Sequence, residues 1–426
     1  MTTAVVLGID IGTSGVRIAA TDDANRLKAM SASPMAAPLQ DGTRLRQDPA
    51  IWWEAVRAAF AGLDLAGLTV RAIAIDGTSG TILAVDASGA PQGLGSMYND
   101  VGAAEDVARV SAVAPRETAA LGSTSPLARA MALQATAKGK VARIIHQADW
   151  IMGCLSGTYD VTDENNALKS GYDPISRQWP GWISETGFDP ALFPRVVPAG
   201  TRVGTLTAEM AAVLGLPADT AIVAGTTDGC AAFLASGASE PGDGVTSLGT
   251  TLTLKLLSET PVFAPGFGIY SHRIGEQWLA GGASNTGGAA IGQYFSKDDL
   301  ARLTPLLQPD HPTGLDYYPL PKPGERFPIN DPAFPPRLAP RPEDERVFFQ
   351  AMLEGIARIE AQAYAKLGEL GASRLASIRT AGGGASNPAW TKIRLRALGV
   401  PEKPSLSEHA AVGTARLAWR GIGHAN

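Results

Sequence analysis

The chain opens with two short runs of β-branched and apolar residues around a glycine-rich turn. Residues 5–11 and 16–21 form the runs, and Gly12, Thr13, Ser14 and Gly15 lie between them. Runs of this length that flank a glycine turn are typical of a β-hairpin. The pattern therefore predicts a strand, a tight turn and a returning strand.

Helical and extended patterns alternate after this hairpin. Asp48 and Pro49 supply an N-cap and a proline for the first helical position before an amphipathic run at 51–63. Residues 70–75 then read as a buried strand that ends at Asp76 and Gly77. The alternation continues to about residue 237, which favours a layered α/β domain.

The opening hairpin has an echo far downstream. Residues 11–16 match residues 248–253, so that Gly249 and Thr250 correspond to Gly12 and Thr13. Ser247 stands where the first copy has Asp10. The repeat predicts a second domain of similar design in which only the first hairpin offers a carboxylate to a metal ion.

The remaining pattern is punctuated by proline and glycine. Residues 305–342 contain 12 prolines, which predicts a long irregular loop that is either functional or a covering of the second domain. A helix at 343–367, a strand at 378–380, a glycine turn at 382–384, a helix at 388–398 and a final helix at 409–419 are expected next.

Composition limits the class of protein. A chain of 426 residues exceeds one ordinary hydrophobic core, so two domains are expected. A formal net charge of -5 argues against a nucleic-acid partner. Two cysteines exclude a disulfide framework, and the absence of a secretory pattern or a long apolar run favours a cytoplasmic protein without a membrane partner. The oligomeric state stays open.

Asp10 and the turn that follows it form the first candidate site. The glycines let backbone N–H groups approach phosphate oxygens, the hydroxyls of Thr13 and Ser14 can donate, and Asp10 can hold Mg²⁺ through water. The alternative is a plain β-turn. The downstream echo argues against it, because a lone turn needs no duplicate.

Asp228 is the second candidate. It follows a predicted strand at 220–224 and precedes a predicted helix at 231–235, so it sits at a helix N-terminus. One reading is an ordinary N-cap. The other is a base that receives a hydroxyl proton during phosphoryl transfer, since a helix N-terminus favours an ionised carboxylate.

Two further groups are candidate ligand contacts. Near the glycine turn, bare backbone and a flat aromatic face suit an adenine or ribose, although an ordinary glycine turn is the alternative; the residues are Gly383, Gly384, Asn387 and Trp390. Polar side chains at strand ends or loops of the first domain suit sugar hydroxyls, although each is also explained as solvated surface; they are Asp76, Ser79, Tyr98, Asn99 and Asp100.

With these residues in view, the chain resembles the FGGY family of carbohydrate kinases from residue 7 to about residue 423. The stretches that carry the resemblance are the phosphate motif at 8–14, the early helix at 47–53, Tyr98-Asn99-Asp100, the landmarks at 159–163 with Asp173 and Trp179, the Gly-Glu-Arg loop at 324–328 and the adenosine motif at 382–387. Each stretch alone is weak, whereas their order along the chain is specific.

The resemblance implies an α/β fold of two ribonuclease H-like, actin-like domains that flank a nucleotide cleft. Residues 1–235 with 408–426 are the implied sugar-binding domain, and 236–407 the implied nucleotide-binding domain. ATP and Mg²⁺ are the implied cofactors, with Asp228 as catalytic base and Asp10 as metal residue. The implied sugar contacts are Asp10, Ser79, Asp100 and Asp228, and the implied nucleotide contacts are Gly12, Thr13, Ser14, Gly249, Thr250, Gly383, Gly384, Asn387 and Trp390.

One departure from the family pattern bears on the substrate. Where xylulokinases usually have Gln-Met-His-Gly, this chain has Gly-Thr-Ser-Gly at 77–80, which leaves a smaller and less basic pocket. In this feature and in its short length the chain resembles the compact D-ribulose kinases of cyanobacteria and plants. Conversion of D-ribulose to D-ribulose 5-phosphate is therefore expected. D-Xylulose is the alternative, and an actin-like ATPase or an inactive sugar sensor are rivals from other classes.

Overall fold

The computed structural model describes residues 2–136 and 141–424. Its helices and strands in the first half of the chain are β1 (Thr3–Ile11), β2 (Gly15–Thr21), β3 (Leu27–Pro34), β4 (Leu39–Asp41), β5 (Arg44–Gln47), α1 (Pro49–Ala61), β6 (Leu68–Gly77), β7 (Ile82–Val85), β8 (Gly95–Ser96), α2 (Ala104–Val113), α3 (Pro126–Thr136), β9 (Arg143–His146), α4 (Gln147–Ser156), β10 (Val161–Asp163), α5 (Glu164–Leu168), α6 (Trp182–Glu185), β11 (Arg195–Val197), β12 (Arg202–Thr205), α7 (Ala208–Leu214), β13 (Ala221–Thr227) and α8 (Asp228–Ala235).

The second half continues with the same mixture of elements. They are β14 (Asp243–Leu248), β15 (Leu252–Ser258), β16 (His272–Ile274), β17 (Gln277–Ser284), α9 (Gly288–Ile291), α10 (Lys297–Leu303), α11 (Glu345–Glu369), β18 (Ser377–Ala381), α12 (Pro388–Leu398) and α13 (Ala410–Gly421).

The chain divides into two compact units. The first comprises Met1–Gly237, His272–Gly275 and Ser407–Asn426, and the second comprises Ala238–Ser271 and Glu276–Leu406. The short segment His272–Gly275 has no sequence signal that assigns it to the first unit. It is held there by the Asn165 side chain, which accepts from Arg273 N at 2.9 Å and donates to Arg273 O at 2.8 Å.

The first unit is built on a six-stranded sheet of order β12-β13-β6-β1-β2-β3. The predicted opening hairpin is confirmed, because β1 and β2 pair antiparallel from Val6–Thr21 to Ile11–Val16. Strands β6 and β13 are parallel to β1, so the carboxyl ends of three strands meet at one edge. The predicted helix after Asp48 is also confirmed, since Asp48 accepts from Ala50 N at 3.0 Å.

Four strands of the second unit repeat the order of four strands of the first sheet, β3-β2-β1-β6. They run β17-β15-β14-β18, with β14 and β15 as the antiparallel hairpin and β18 parallel to β14. The predicted echo of the two hairpins is therefore confirmed in the backbone. The register places Ser247 beside Ala381, at the positions where the first unit pairs Asp10 with Asp76.

The proline-rich segment forms the predicted irregular loop. Apart from a single 3-10 turn at Thr304–Leu306, its described part has no helix or strand. Tyr317, Tyr318 and Phe327 are buried in the core of the second unit. Glu325 accepts from Ser284 Oγ at 2.6 Å, which ties the loop to the end of β17. These contacts favour the covering role over a separate functional one.

The last helix of the chain, α13, packs closely on the sheet of the first unit. A Cβ atom on Gly8 would lie 1.9 Å from the carbonyl oxygen of Ala411, and one on Gly413 would lie 1.9 Å from that of Ala231. Only glycine allows either approach. The close contact brings the Thr414 hydroxyl to Asp76, to which it donates a hydrogen bond.

Replacement of Thr414 by valine tests this contact. Asp76 is fully buried, so loss of its donor leaves an unsatisfied carboxyl oxygen. We expect Thr414→Val to lower the free energy of unfolding by about 1–3 kcal/mol. Thr414→Ser keeps the hydroxyl and is the matched control. Urea unfolding followed by tryptophan fluorescence measures both, and equal midpoints for the two variants would contradict the role of the hydroxyl.

Asp163 predicts a pH dependence of stability. It caps α5 through Asn165 N and Asn166 N, and burial, with the charge of Asp149, raises its pKa from 3.8 to about 7. The folded chain therefore retains a proton that the unfolded chain loses, and this group lowers stability as the pH rises from about 4 to 7. Above pH 7 it contributes no further slope.

We expect Asp163→Asn to flatten the stability profile between pH 5 and 7, because asparagine keeps a capping oxygen and does not titrate. The difference from the wild type amounts to at most about 4 kcal/mol across that titration, at about 1.4 kcal/mol per unit of pKa. Thermal unfolding at several pH values measures it. An unchanged slope in the variant would show that Asp163 is already ionised at neutral pH.

Candidate active site

Three aspartates lie at the carboxyl edge of the first sheet. Asp10 is on β1 and Asp76 on β6, and the register pairs them directly. Asp228 comes immediately after β13, whose residues Thr226 and Thr227 pair with Asp76 and Gly77. The strand pairing thus brings together side chains that are separated by more than 200 residues in sequence.

The position of Asp228 follows from two local features. A Cβ atom on Gly225 would lie 1.7 Å from the carbonyl oxygen of Ile75, so glycine is required where β13 shifts its register against β6. Thr227 then caps α8 by accepting from Cys230 N. The alternative of Asp228 as the N-cap is therefore wrong. Its carboxylate accepts from Gly229 N at 2.6 Å and is half-buried.

Burial dominates the electrostatics of this cluster. Asp10 is 7% exposed and Asp76 is fully buried. Burial raises the pKa of Asp76 well above its ordinary value, and the negative charges of Asp10 and Asp228 raise it further. Burial also raises the pKa of Asp10, while hydrogen bonding to Asp76 and the charge of Arg17 oppose the shift. The pKa of Asp76 is thus raised more strongly than that of Asp10.

The loop that follows Asp76 contains buried polar atoms without protein partners. Thr78 N and Oγ1 both donate to Gln147 Oε1, at 3.2 and 2.9 Å. Within the described ranges, neither Gln147 Nε2 nor the buried Ser79 Oγ has a hydrogen-bond partner. Buried polar groups are normally satisfied, so two such atoms at one loop mark a place for a polar ligand.

Asp100 has a different environment from Ser79. Its carboxylate is fully buried, with Arg44 Nε and Leu45 N donating to Oδ1 at 3.1 and 3.0 Å and Ser96 Oγ donating to Oδ2 at 2.6 Å. Its neighbour Tyr98 is 41% exposed. The predicted contact of Asp100 with a sugar stays a prediction, and its present partners are all protein groups.

The two glycine turns differ by one residue. In the first, Gly12 N donates to Gly15 O at 3.0 Å, and Thr13 is half-buried while Ser14 is exposed. In the second turn, Gly249 N donates to Thr251 O at 3.3 Å. The two strands that flank this turn pair directly beside it, at Leu248 and Leu252. Both turns stand at the carboxyl end of the first strand of their sheet.

A cavity of about 920 Å³ lies within the second unit. Six of the predicted nucleotide contacts line it, namely Gly249, Thr250, Gly383, Gly384, Asn387 and Trp390. Apolar side chains such as Leu248, Ile291 and Phe349 complete its walls. The second glycine turn and the turn at 382–384 therefore line the same cavity, although more than 130 residues separate them in the sequence.

Trp390 and Gly384 lie against each other in the lining of this cavity. Trp390 is 5% exposed, and a Cβ atom on Gly384 would lie 2.5 Å from its ring and 2.7 Å from Leu248 Cβ. Its Nε1 has no partner in the described chain. Asn387 caps α12 by accepting from Trp390 N at 3.0 Å and donates to Thr304 Oγ1.

The oxygen donors near Asp10 suit Mg²⁺ more than a transition metal. The described residues contain no cluster of three histidine, cysteine or acidic side chains in a metal-binding arrangement. Mg²⁺ at a nucleotide needs only one or two carboxylates, with water and phosphate oxygens as the other ligands. Asp10, whose Oδ2 lies 3.7 Å from the Arg17 guanidinium, fits that requirement.

Sequence reasoning missed several groups around this site. Asp76 is predicted either to contact sugar hydroxyls or to be solvated surface, and its burial beside Asp10 shows that the second interpretation is wrong. Its place at the end of a strand parallel to β1 is the signal that indicates the position beside Asp10. Gln147 and Thr414 stand within helices and carry no spacing signal of their own.

Among the described residues, no helix combines the length and apolar character that a membrane span needs.

Known xylulose kinases resemble the chain over almost its whole length, and a ribulokinase resembles part of it. The chain is 21% identical over 443 aligned residues to a xylulose kinase of Staphylococcus epidermidis, which covers 98% of this chain and 88% of that protein. A ribulokinase of Anoxybacillus flavithermus is 30% identical over 165 residues, covering 36% of this chain and 28% of that protein. The crystal structure of xylulose kinase from Rhodospirillum rubrum superimposes with a TM-score of 0.84 at 23% identity, covering 98% and 90% of the two chains.

The family assignment comes from domain profiles. The N-terminal domain profile of the FGGY family of carbohydrate kinases matches residues 5–235, and the C-terminal domain profile matches residues 244–422. The repeated sheet order and the structural likeness confirm the predicted actin-like two-domain α/β fold. The chain belongs to the FGGY family of carbohydrate kinases.

Proposed function

We propose that this carbohydrate kinase transfers the γ-phosphoryl group of ATP to the terminal hydroxyl of a ketopentose, with D-ribulose as the first candidate. The observation that carries the proposal is the carboxylate of Asp228, which is free of the capping role and stands beside Asp10 and Asp76. D-Xylulose is the second candidate, favoured by the xylulose kinase that matches 98% of the chain.

Asp228 is proposed as the base that receives the proton of the attacking hydroxyl. It occupies the first position of α8 and is half-buried at the end of β13. The Gly229 N–H that donates to Oδ1 fixes the orientation of the carboxylate and leaves Oδ2 as the acceptor. Phosphoryl transfer has a loose transition state, so the base acts late and positioning contributes most of the rate.

Asp10 is proposed to hold Mg²⁺, directly or through water. The ion would supply charge neutralisation for the phosphates. The raised pKa of Asp76 supports this role, because it favours the neutral acid, which adds no second negative charge beside Asp10. The turn of Gly12, Thr13 and Ser14 is proposed to donate backbone and hydroxyl hydrogens to phosphate oxygens.

The sugar is proposed to bind at the loop after Asp76. Ser79 Oγ and Gln147 Nε2 are buried polar atoms whose hydrogen-bonding capacity the protein leaves unused. Sugar hydroxyls satisfy both an acceptor and a donor, so the loop and Asp228 together suit a small polyhydroxy acceptor. A serine at this position also leaves room beside the sugar.

The adenosine moiety of ATP is proposed to occupy the cavity of the second unit. Apolar walls and bare glycine backbone suit a flat purine, and about 920 Å³ exceeds what one adenosine needs. Trp390 supports the wall that Gly384 forms. Asn387 contributes by fixing the start of α12.

Release of ADP tests the activity and names the acceptor. Purified protein with Mg-ATP is assayed without sugar and with D-ribulose, D-xylulose, L-ribulose, glycerol and ribitol. We expect one ketopentose to stimulate turnover at least about a hundredfold, and Asp228→Asn to remove about two to four orders of magnitude of that rate. Asp228→Asn should still bind ADP in calorimetry. Turnover that ignores every sugar would indicate an ATPase instead.

The cavity assignment has its own test at Gly384. A methyl group there collides with the Trp390 ring and with Leu248, so we expect Gly384→Ala to weaken ADP binding at least about tenfold by closing the cavity. Gly368→Ala is the control in the same unit, because a Cβ atom on Gly368 meets nothing within 4 Å. Calorimetric titration measures both variants. Unchanged affinity in Gly384→Ala would place the adenosine elsewhere.

A further inference from the structure

Arg129, on α3, is a buried cation that the reaction described above does not use. It is 2% exposed, and burial lowers the pKa of its guanidinium to about 10 while the charge of Asp100 opposes the shift. A buried charge is costly unless its hydrogen bonds are well satisfied. The acceptors of the Arg129 hydrogen bonds therefore indicate why an arginine occupies this position.

The Arg129 guanidinium hydrogen-bonds to three separate segments. One terminal nitrogen donates to Ser96 O at 3.1 Å, to Ser96 Oγ at 2.8 Å and to Met97 O at 3.0 Å. The other donates to Gly80 O at 2.6 Å and to Thr124 O at 3.2 Å. The planar fork thus joins the loop after β6, the loop after β8 and the turn before α3.

The network continues from Ser96 to Asp100. Ser96 Oγ accepts a hydrogen bond from Arg129 and donates one to Asp100 Oδ2 at 2.6 Å, so this hydroxyl is both an acceptor and a donor. Asp100 Oδ1 accepts from Arg44 Nε and Leu45 N. Asp100 is thereby tied to β5, and the chain of contacts from β5 to Gly80 lies almost entirely in the interior.

The two loops that Arg129 joins carry exposed or unsatisfied groups. Ser79, whose Oγ lacks a partner in the described chain, immediately precedes Gly80. Tyr98 is 41% exposed and follows Met97, and its N–H donates to Thr81 Oγ1 at 3.0 Å. Arg129 holds the carbonyls next to both residues, so it sets the distance between them.

We propose that Arg129, with Ser96 and Asp100, is a positioning network that fixes the two walls of the acceptor-sugar site and thereby determines which ketopentose is accepted. Asp100 acts through this network and not by touching the sugar. The inference rests on the proposed function, because it assigns the sugar to the loop at Ser79. Lysine cannot replace the arginine, since one ammonium group does not span acceptors on two sides.

The first test compares steady-state kinetics of Arg129→Lys with the wild type, using the ketopentose that stimulates the wild type most and the next best acceptor. We expect KM for the preferred sugar to rise about tenfold or more, with kcat changed less, because the sugar loses aligned partners while Asp228 stays in place. The ratio of kcat/KM between the two sugars should fall toward one. ADP affinity should be unchanged, since the cavity belongs to the second unit.

A double-mutant cycle distinguishes positioning from general support of the fold. If Arg129 acts through Ser79, Arg129→Lys should raise KM far less in a Ser79→Ala background than in the wild type. Ser96→Ala keeps the carbonyl contacts of Arg129 but cuts the link to Asp100, and it provides a milder variant should Arg129→Lys fold poorly. It is expected to shift the sugar preference in the same direction.

The outcomes separate the two proposals. Sugar-stimulated turnover with an unchanged preference in both Arg129→Lys and Ser96→Ala overturns the positioning network and leaves the kinase function intact. Additive effects of Ser79→Ala and Arg129→Lys overturn it also. A wild type that no sugar stimulates removes the proposed function, and the inference about Arg129 with it.

Discussion

The register of three parallel strands is the constraint on which the site depends. Because Asp10 pairs with Asp76, and Asp76 with Thr226, the strand spacing of about 4.8 Å forces two carboxyl groups together in a buried edge. Two carboxylates at such a distance do not both ionise at neutral pH without a large cost. Burial accordingly raises the pKa of Asp76 well above its ordinary value, and the Thr414 hydroxyl donates a hydrogen bond to this carboxyl group.

This constraint makes the last helix of the chain part of the site. Thr414 lies 338 residues from Asp76, and its hydroxyl reaches the carboxylate only because Gly8 and Gly413 let α13 approach the sheet and α8 without side chains between. A side chain at either glycine would move α13 outward by the width of a methyl group or more. The aspartate-bearing edge of the sheet and the packing of the C-terminal helix are therefore one structural requirement.

The two hairpins illustrate how one backbone design supports different chemistry. In the first unit the paired strand ends are Asp10 and Asp76, and in the second they are Ser247 and Ala381. The second edge therefore carries no buried acid pair, and the neighbouring space is an apolar cavity. A second pair of carboxylates would repel the phosphates of a nucleotide, whereas small neutral residues allow the backbone to approach them.

Much of the fold was predictable, because its signals are local. The first hairpin, its echo, the capped helix after Asp48 and the proline-rich loop each follow from residues that are adjacent in sequence. The N-cap of α8 could not be identified from the local sequence, because Thr227 and Asp228 both suit the role. Only the position at which β13 ends selects Thr227.

The site's supporting groups could not be predicted for a related reason. Arg129 bonds to acceptors up to 49 residues away, and nothing in α3 distinguishes it from a solvated arginine. Asp100 follows a short strand in a loop, where a carboxylate normally meets solvent or ligand. Its burial arises only when Arg44 on β5 and Ser96 on β8 are brought to it by the pairing of these strands in a five-stranded sheet of order β4-β5-β8-β7-β9.

On the proposed placement of the sugar, the short side chain of Ser79 makes the position of the neighbouring main chain, which Arg129 holds, important for selectivity. A long residue such as methionine or histidine adjusts to a displaced backbone by rotating several bonds, whereas the Ser79 hydroxyl has one rotatable bond between it and the main chain. Its reach is therefore fixed by the position of the backbone at Gly80, whose carbonyl Arg129 holds at 2.6 Å. If the sugar binds at Ser79 as proposed, a site that distinguishes hydroxyl orientations through short side chains requires a rigid main chain, and the hydrogen bonds of the buried Arg129 guanidinium would supply that rigidity.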